Sequence, residues 1–76
     1  MPEELDCRYL LCPMPVIRTQ ARVAGLAAGD ELEVVVTDPG ALADVPSWCR
    51  VHGHEVVEIR EGDHGVHRLR LRVGGG

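Results

Sequence analysis

Apolar positions along this chain follow two periods, and the switches between them mark out six elements. Leu5 and Cys7 alternate with polar neighbours, which predicts a short first strand over Leu5 to Arg8. Val16, Ile17, Ala21, Val23, Ala24 and Ala27 then recur at helical spacing, predicting a helix from Pro13 to about Leu26. Cys12 falls at its N-cap, Pro13 at the first helical position and Pro15 at the third, where a missing N–H costs nothing. Gly25 and Gly29 mark the exit. Glu31 to Thr37 alternates again, with Leu32, Val34 and Val36 on one face and Glu31, Glu33 and Val35 on the other.

Thr37-Asp38-Pro39-Gly40 is a turn in which Asp38 can accept from a nearby backbone N–H. A second helix is expected over about Ala41 to Val51, with Ala41, Val45, Trp48 and Cys49 along one side. Pro46 interrupts that pattern, so Asp44 is expected to cap a helix whose first turn holds the proline. His54 to Glu61 reads as a strand with Val57 and Ile59 on one face and Val56, Glu58 and Arg60 on the other. Gly62-Asp63-His64-Gly65 is a hairpin turn. The last strand, Val66 to Val73, sets His67, Leu69, Leu71 and Val73 against Val66, Arg68, Arg70 and Arg72.

The order β-α-β-α-β-β predicts an α+β fold: a two-layer α/β sandwich with a four-stranded mixed sheet and two helices on one face. Residues 1–4 are expected to form an N-terminal extension, 5–73 the domain and 74–76 a flexible glycine tail. With 76 residues there is one domain, too small to enclose both a core and a deep active site. Chemistry is therefore expected at an edge, completed by a partner. The core must be aliphatic, since Phe is absent and Tyr and Trp occur once each.

Charge narrows the partners. The net charge is -4 and every basic residue is Arg, so non-specific binding to nucleic acid or anionic membrane is disfavoured. No 18-residue apolar run exists and Met1-Pro2-Glu3-Glu4 lacks a signal-peptide core, so a cytoplasmic protein without a membrane partner is expected. Three cysteines, Cys7, Cys12 and Cys49, cannot form a fully paired disulfide framework, and their spacing matches neither a zinc knuckle nor a CxxC pair.

Cys12 is the principal candidate for chemistry. A thiol attacks as its thiolate, and a helix N-terminus lowers thiol pKa. Pro13 and Pro15 have no N–H, which leaves Met14 and Val16 as donors that could bond a thiolate or a persulfide anion. A helix terminus supplies only about 0.3–1 kcal/mol at an exposed site, less than one pKa unit, so hydrogen bonds or a nearby arginine must add to it. Arg18 is at least one helical turn away. Cys7 is expected to be a buried strand thiol, with a resolving role as the minor alternative, and Cys49 to pack in the core beside Trp48. His52, His54, His64 and His67 fall on separate elements, which argues against a metal site; a Cys12/His54 acid–base pair stays open. Arg68, Arg70 and Arg72 form a stripe that either balances Glu33 and Glu58 or docks an acidic partner, with RNA contact third because no aromatic residues interleave. The terminal glycines suit a ubiquitin-like sulfur carrier, but that fold opens with a hairpin and this chain places a helix directly after its first strand.

Taken together, Leu5-Asp6, Leu10, Cys12-Pro13-Met14-Pro15, Gly29, Thr37-Asp38-Pro39, Asp44-Val45-Pro46, Trp48-Cys49 and Gly53-His54 resemble the TusA/SirA-like sulfur-carrier family. The resemblance runs from about Leu5 to Val73. It implies the same βαβαββ domain and a Cys12 that accepts sulfane sulfur as a persulfide. Implied donors are a cysteine desulfurase or a rhodanese-like protein. Implied acceptors are DsrE-like proteins or other protein thiols, on routes to 2-thiouridine in tRNA or to other sulfur metabolism. No metal or organic cofactor is implied. Pro13, Met14 and Pro15 would shape the site. Tyr9 departs from the family pattern, which places Gly there, and adds a ring near the thiol. Arg18, Arg68, Arg70 and Arg72 are candidates for partner docking. The sequence thus points to a persulfide sulfurtransferase acting with partners. The alternative is a non-catalytic protein- or RNA-binding module that uses the Arg68/Arg70/Arg72 face.

Overall fold

The computed structural model describes residues 3–74, and its elements follow the expected order. They are β1 (Glu3–Cys7), α1 (Met14–Val23), β2 (Glu31–Val36), α2 (Ala41–Val51), β3 (Glu55–Glu61) and β4 (His67–Arg72), with a 3-10 turn over Asp63–Gly65. Met1 and Pro2 of the expected extension, and Gly75 and Gly76 of the expected tail, lie outside the described residues.

The sheet order is β1-β2-β4-β3. β1 pairs parallel to β2 and the other two pairings are antiparallel, so the sheet is mixed. Both helices cover one face. Leu5, Val34 and Leu69 stand in register across three strands, and Leu32 is opposite Leu71. These side chains are buried with Cys7, Val36 and Val73 from the strands and loop ends, and Val23, Ala41, Val45 and Cys49 from the helices. Thr19 is a fully buried polar residue on α1. Its hydroxyl donates to the Pro15 carbonyl one turn earlier at 2.7 Å, which removes the cost of an unpaired group.

The opposite face carries ion pairs. Arg68 meets Glu4 and Glu33, Arg72 meets Glu31 and Glu55, and Arg60 meets Glu33 and Glu58. Arg70 lies 3.6 Å from Glu58 and 3.9 Å from Glu31. Each exposed pair contributes little alone, but together they match charge across all four strands.

Four local expectations are corrected. Helix α1 starts at Met14 with Pro13 at its N-cap, so Pro15 is the second helical residue and Cys12 lies outside the helix. The reason is a turn over residues 11–14, closed by the Met14 N–H on the Leu11 carbonyl at 2.9 Å. The Cys12–Pro13 peptide is cis. At its other end α1 stops at Val23, where tight turns at Gly25 and Leu26 replace the helical pattern. Helix α2 begins at Ala41, capped by Gly40, and runs through Pro46 without a second start. Asp44 is consequently not a cap; its side chain is free to point elsewhere. In β3 a bulge between Val56 and Glu58 shifts the alternation, turning Val56, expected on the face of Glu58 and Arg60, opposite Leu71 and against the core. Ile59 keeps its expected face, opposite Leu69, and is 45% exposed because β3 is the edge strand.

Candidate functional site

β1 and β2 are parallel, so the loops leaving them emerge at the same end of the sheet. The Cys12 loop follows β1 and the Asp38 turn follows β2. This is the place where open sheets with helical crossovers put their sites, beyond the C-terminal ends of parallel strands. Two backbone bonds tie the loops together. The Tyr9 N–H donates to the Thr37 hydroxyl at 2.8 Å, and the Cys12 N–H donates to Asp38 Oδ2, also at 2.8 Å. The other oxygen of Asp38 accepts the Gly40 N–H at 3.0 Å. One carboxylate thus braces the start of α2 and the backbone of the thiol together.

The thiol itself meets Asp44. Cys12 Sγ donates to Asp44 Oδ2 at 2.5 Å, reaching from the first loop to the first turn of α2. This hydrogen bond raises the Cys12 pKa above its ordinary 9.0, helped by partial desolvation and by the negative charges of Asp44 and Asp38. The effect is opposite in sign to that expected from a helix N-terminus. The two amides expected to hold a thiolate are already used: Met14 N–H by Leu11, and Val16 N–H by the Pro13 carbonyl at 3.1 Å. No arginine lies among the groups acting on Cys12. Arg18 lies on α1 and its charge acts on Cys7 instead.

Cys12 is exposed while Cys7 and Cys49 are buried. Beside it along the chain are Tyr9 at 83% exposure, Leu11 at 74%, Met14 and Ile17. Four of the six large hydrophobic side chains left exposed among the described residues therefore fall within nine residues of chain around this thiol. Clustered exposed apolar groups mark interaction surfaces. Tyr9 has a φ of 67°, in the left-handed region where glycine sits without strain. Glycine would adopt that conformation without strain, and the exposed ring does not pack over the loop.

The remaining candidates lie elsewhere. Arg68, Arg70 and Arg72 are all engaged by glutamates on the open sheet face. His54 does not meet Cys12: its Nδ1 accepts the Gly74 N–H at 3.0 Å, and its ring stacks on Trp48 with centroids 5.1 Å apart. Gly74, expected in the tail, is held there, and a Cβ at this position would collide with the Gly53 carbonyl oxygen. A cleft lined by Pro46, Cys49, Arg50, His54, Glu55 and Val56 does not include Cys12.

Comparison with known proteins shows the family of the chain. The family model described as sulfurtransferase TusA matches residues 3–73. The chain belongs to the TusA family. It is 42% identical over 57 residues to the sulfur carrier protein TusA of Pseudomonas putida, covering 75% of this chain and 71% of that protein. It is 41% identical over 71 residues to YrkF of Bacillus subtilis, covering 93% of this chain but only 38% of YrkF. Among solved structures, a SirA-like protein of Desulfitobacterium hafniense superposes with a TM-score of 0.84 at 28% identity, covering 93% of this chain and 96% of that one.

From the sequence Asp44 has only the pattern of a helix cap and Asp38 that of a local acceptor, whereas in the fold both meet Cys12. The available signal was topological. An acidic residue just after β2, and another in the first turn of the following helix, must share an end of the sheet with whatever follows a parallel β1.

Proposed function

We propose that this TusA-family chain carries sulfane sulfur as a persulfide on Cys12 and hands it to a thiol of an acceptor protein. The observation that carries this reading is an exposed thiol in a braced turn, flanked along the chain by exposed apolar side chains, while the other two thiols are buried. The Cys12 thiolate attacks the terminal sulfur of a donor persulfide, and the donor thiolate departs and takes up the proton. The acceptor thiol then attacks the terminal sulfur on Cys12 in the same way. A partner that covers Tyr9, Leu11, Met14 and Ile17 excludes water from the labile sulfur during each exchange. Cys7 is fully buried and offers no accessible resolving thiol.

A cysteine desulfurase or rhodanese-like protein is the proposed donor, and a DsrE-like protein or another thiol protein the acceptor, within the cytoplasm. The proposed destinations are 2-thiouridine in tRNA or another sulfur-requiring pathway. Among the described residues no helix is long and apolar enough to cross a membrane.

The test is incubation of the full chain with a cysteine desulfurase and cysteine, followed by intact mass and peptide mapping. Cys12 should gain one sulfur, about 32 Da, as a thiol–persulfide exchange requires. Equal sulfur on the Cys12→Ser protein would refute the assignment.

A further inference from the structure

We infer that Asp44 biases this carrier towards its unloaded thiol, making the persulfide on Cys12 the less stable form and so one readily given up. The inference deepens the sulfur-carrier reading and rests on it. Its first support is geometric. Asp44 Oδ2 lies 2.5 Å from Cys12 Sγ, so a thiol that donates to it occupies the space between them. A sulfur–sulfur bond is about 2.05 Å long. A second sulfur placed in that space would overlap the carboxylate oxygen. Loading therefore requires the new bond to swing away from Asp44, and the hydrogen bond is lost.

The second support is charge. Persulfides are more acidic than thiols, so near neutral pH the loaded form is an anion. The charged groups acting on Cys12 are Asp44 from α2 and Asp38 from the turn after β2. The start of α1 offers no free amide, since the Met14 and Val16 N–H groups are bonded within their own turn. Arg18 on α1 acts on Cys7 instead. The unloaded thiol can donate to Asp44; the loaded anion can only be repelled by it.

The exchange balances as Cys12–SH plus R–S–S⁻ giving Cys12–S–S⁻ plus R–SH. The S–S bond of the donor breaks and one to Cys12 forms. The proton of Cys12 ends on the donor thiol, and no external oxidant or reductant is needed. Asp44 acts on this equilibrium by favouring the left side. It is a positioning residue, and the sulfur itself is handled by Cys12.

The experiment equilibrates the full chain with glutathione persulfide in glutathione buffer at pH 7.5. Loaded and unloaded Cys12 peptide are then quantified by mass spectrometry. Removing one like charge about 4 Å away under water-like screening should raise the loaded-to-unloaded ratio about fivefold in Asp44→Asn. Asp44→Ser should behave in the same way, and Asp44→Glu, which keeps the charge, should stay near the wild type. Alkylation of Cys12 followed against pH should shift to lower pH in Asp44→Asn, a change that a merely structural role would not produce. An unchanged or lowered ratio in both neutral variants, or an unmoved alkylation profile, would overturn the role of Asp44. Absence of sulfur on wild-type Cys12 would instead overturn the sulfur-carrier reading, and the alkylation profile would still decide what Asp44 does to the thiol.

Discussion

Cys12 and Cys49 are both governed by α2, and both thiols resist ionisation, but for different reasons. Cys49 lies on the inner side of the helix at 1% exposure, where burial alone pushes its pKa up to about 11. Cys12 is exposed, and its pKa is raised chiefly by the hydrogen bond to Asp44 on the same helix. The first restraint can be lifted only by opening the core. The second can be lifted by any contact that draws Asp44 away or neutralises it. A raised pKa therefore accompanies a buried packing thiol in one case and an accessible thiol in the other, and the physical cause tells them apart.

The largest expected effect separates the two by accessibility. In the native protein iodoacetamide should modify Cys12 about a thousandfold faster than Cys49 or Cys7, whose exposure requires opening of the core. Mass mapping with and without denaturant measures this, and comparable native rates would erase the distinction.

Alkaline pH should reveal the buried thiol next. The folded state keeps Cys49 protonated up to about pH 11, whereas the unfolded chain ionises near its ordinary 9.0. The folded state thus binds the proton more tightly, so this contribution is complete below pH 9 and lost as pH rises towards 11. The loss should be roughly 2–3 kcal/mol at most. Urea unfolding at pH 8 and pH 11 measures it, and Cys49→Ala should flatten part of the slope, the rest coming from Cys7, whose thiol burial also pushes up. An unchanged slope in that variant would mean that burial of Cys49 is not the cause.

A smaller effect should come from supplying a cation at the exposed site. Ser47 stands three residues after Asp44 on α2 and is exposed, so Ser47→Arg places a guanidinium within reach of that carboxylate. Cys12 alkylation at pH 7.5 should rise about two- to threefold, while Cys49 stays protected. The smallest expected change is at Tyr9. Replacement by glycine relieves a left-handed φ but adds unfolded-state freedom, for a net gain of about 0.5 kcal/mol by thermal unfolding. The Cys12 alkylation profile should not move, because the Tyr9 ring is not among the groups acting on the thiol.

The periodic segments were legible because apolar spacing reports directly which side of an element is buried. Leu32, Val34 and Val36 on β2, and Leu69, Leu71 and Val73 at the end of the chain, are buried as their alternation requires. The interruptions were not legible in the same way. The bulge at Val56 and Glu58 leaves no mark in an alternating pattern, and Pro46 reads as a break although α2 continues through it. The Leu11-Cys12-Pro13 segment reads as a helix start, yet its own turn takes up the amides that were expected to face the thiol.

By itself the sequence determined the order of strands and helices, the aliphatic inner face, the Glu/Arg outer face and the singular position of Cys12 before two prolines. Those features follow from neighbours along the chain. Only the tertiary structure decided what surrounds the thiol. Parallel pairing of β1 with β2 brings Asp38 and Asp44 to Cys12 across 26 and 32 residues of chain. A thiol's ionisation depends on distance through space, so the sign of the effect on Cys12 could be settled only once the loops were placed side by side.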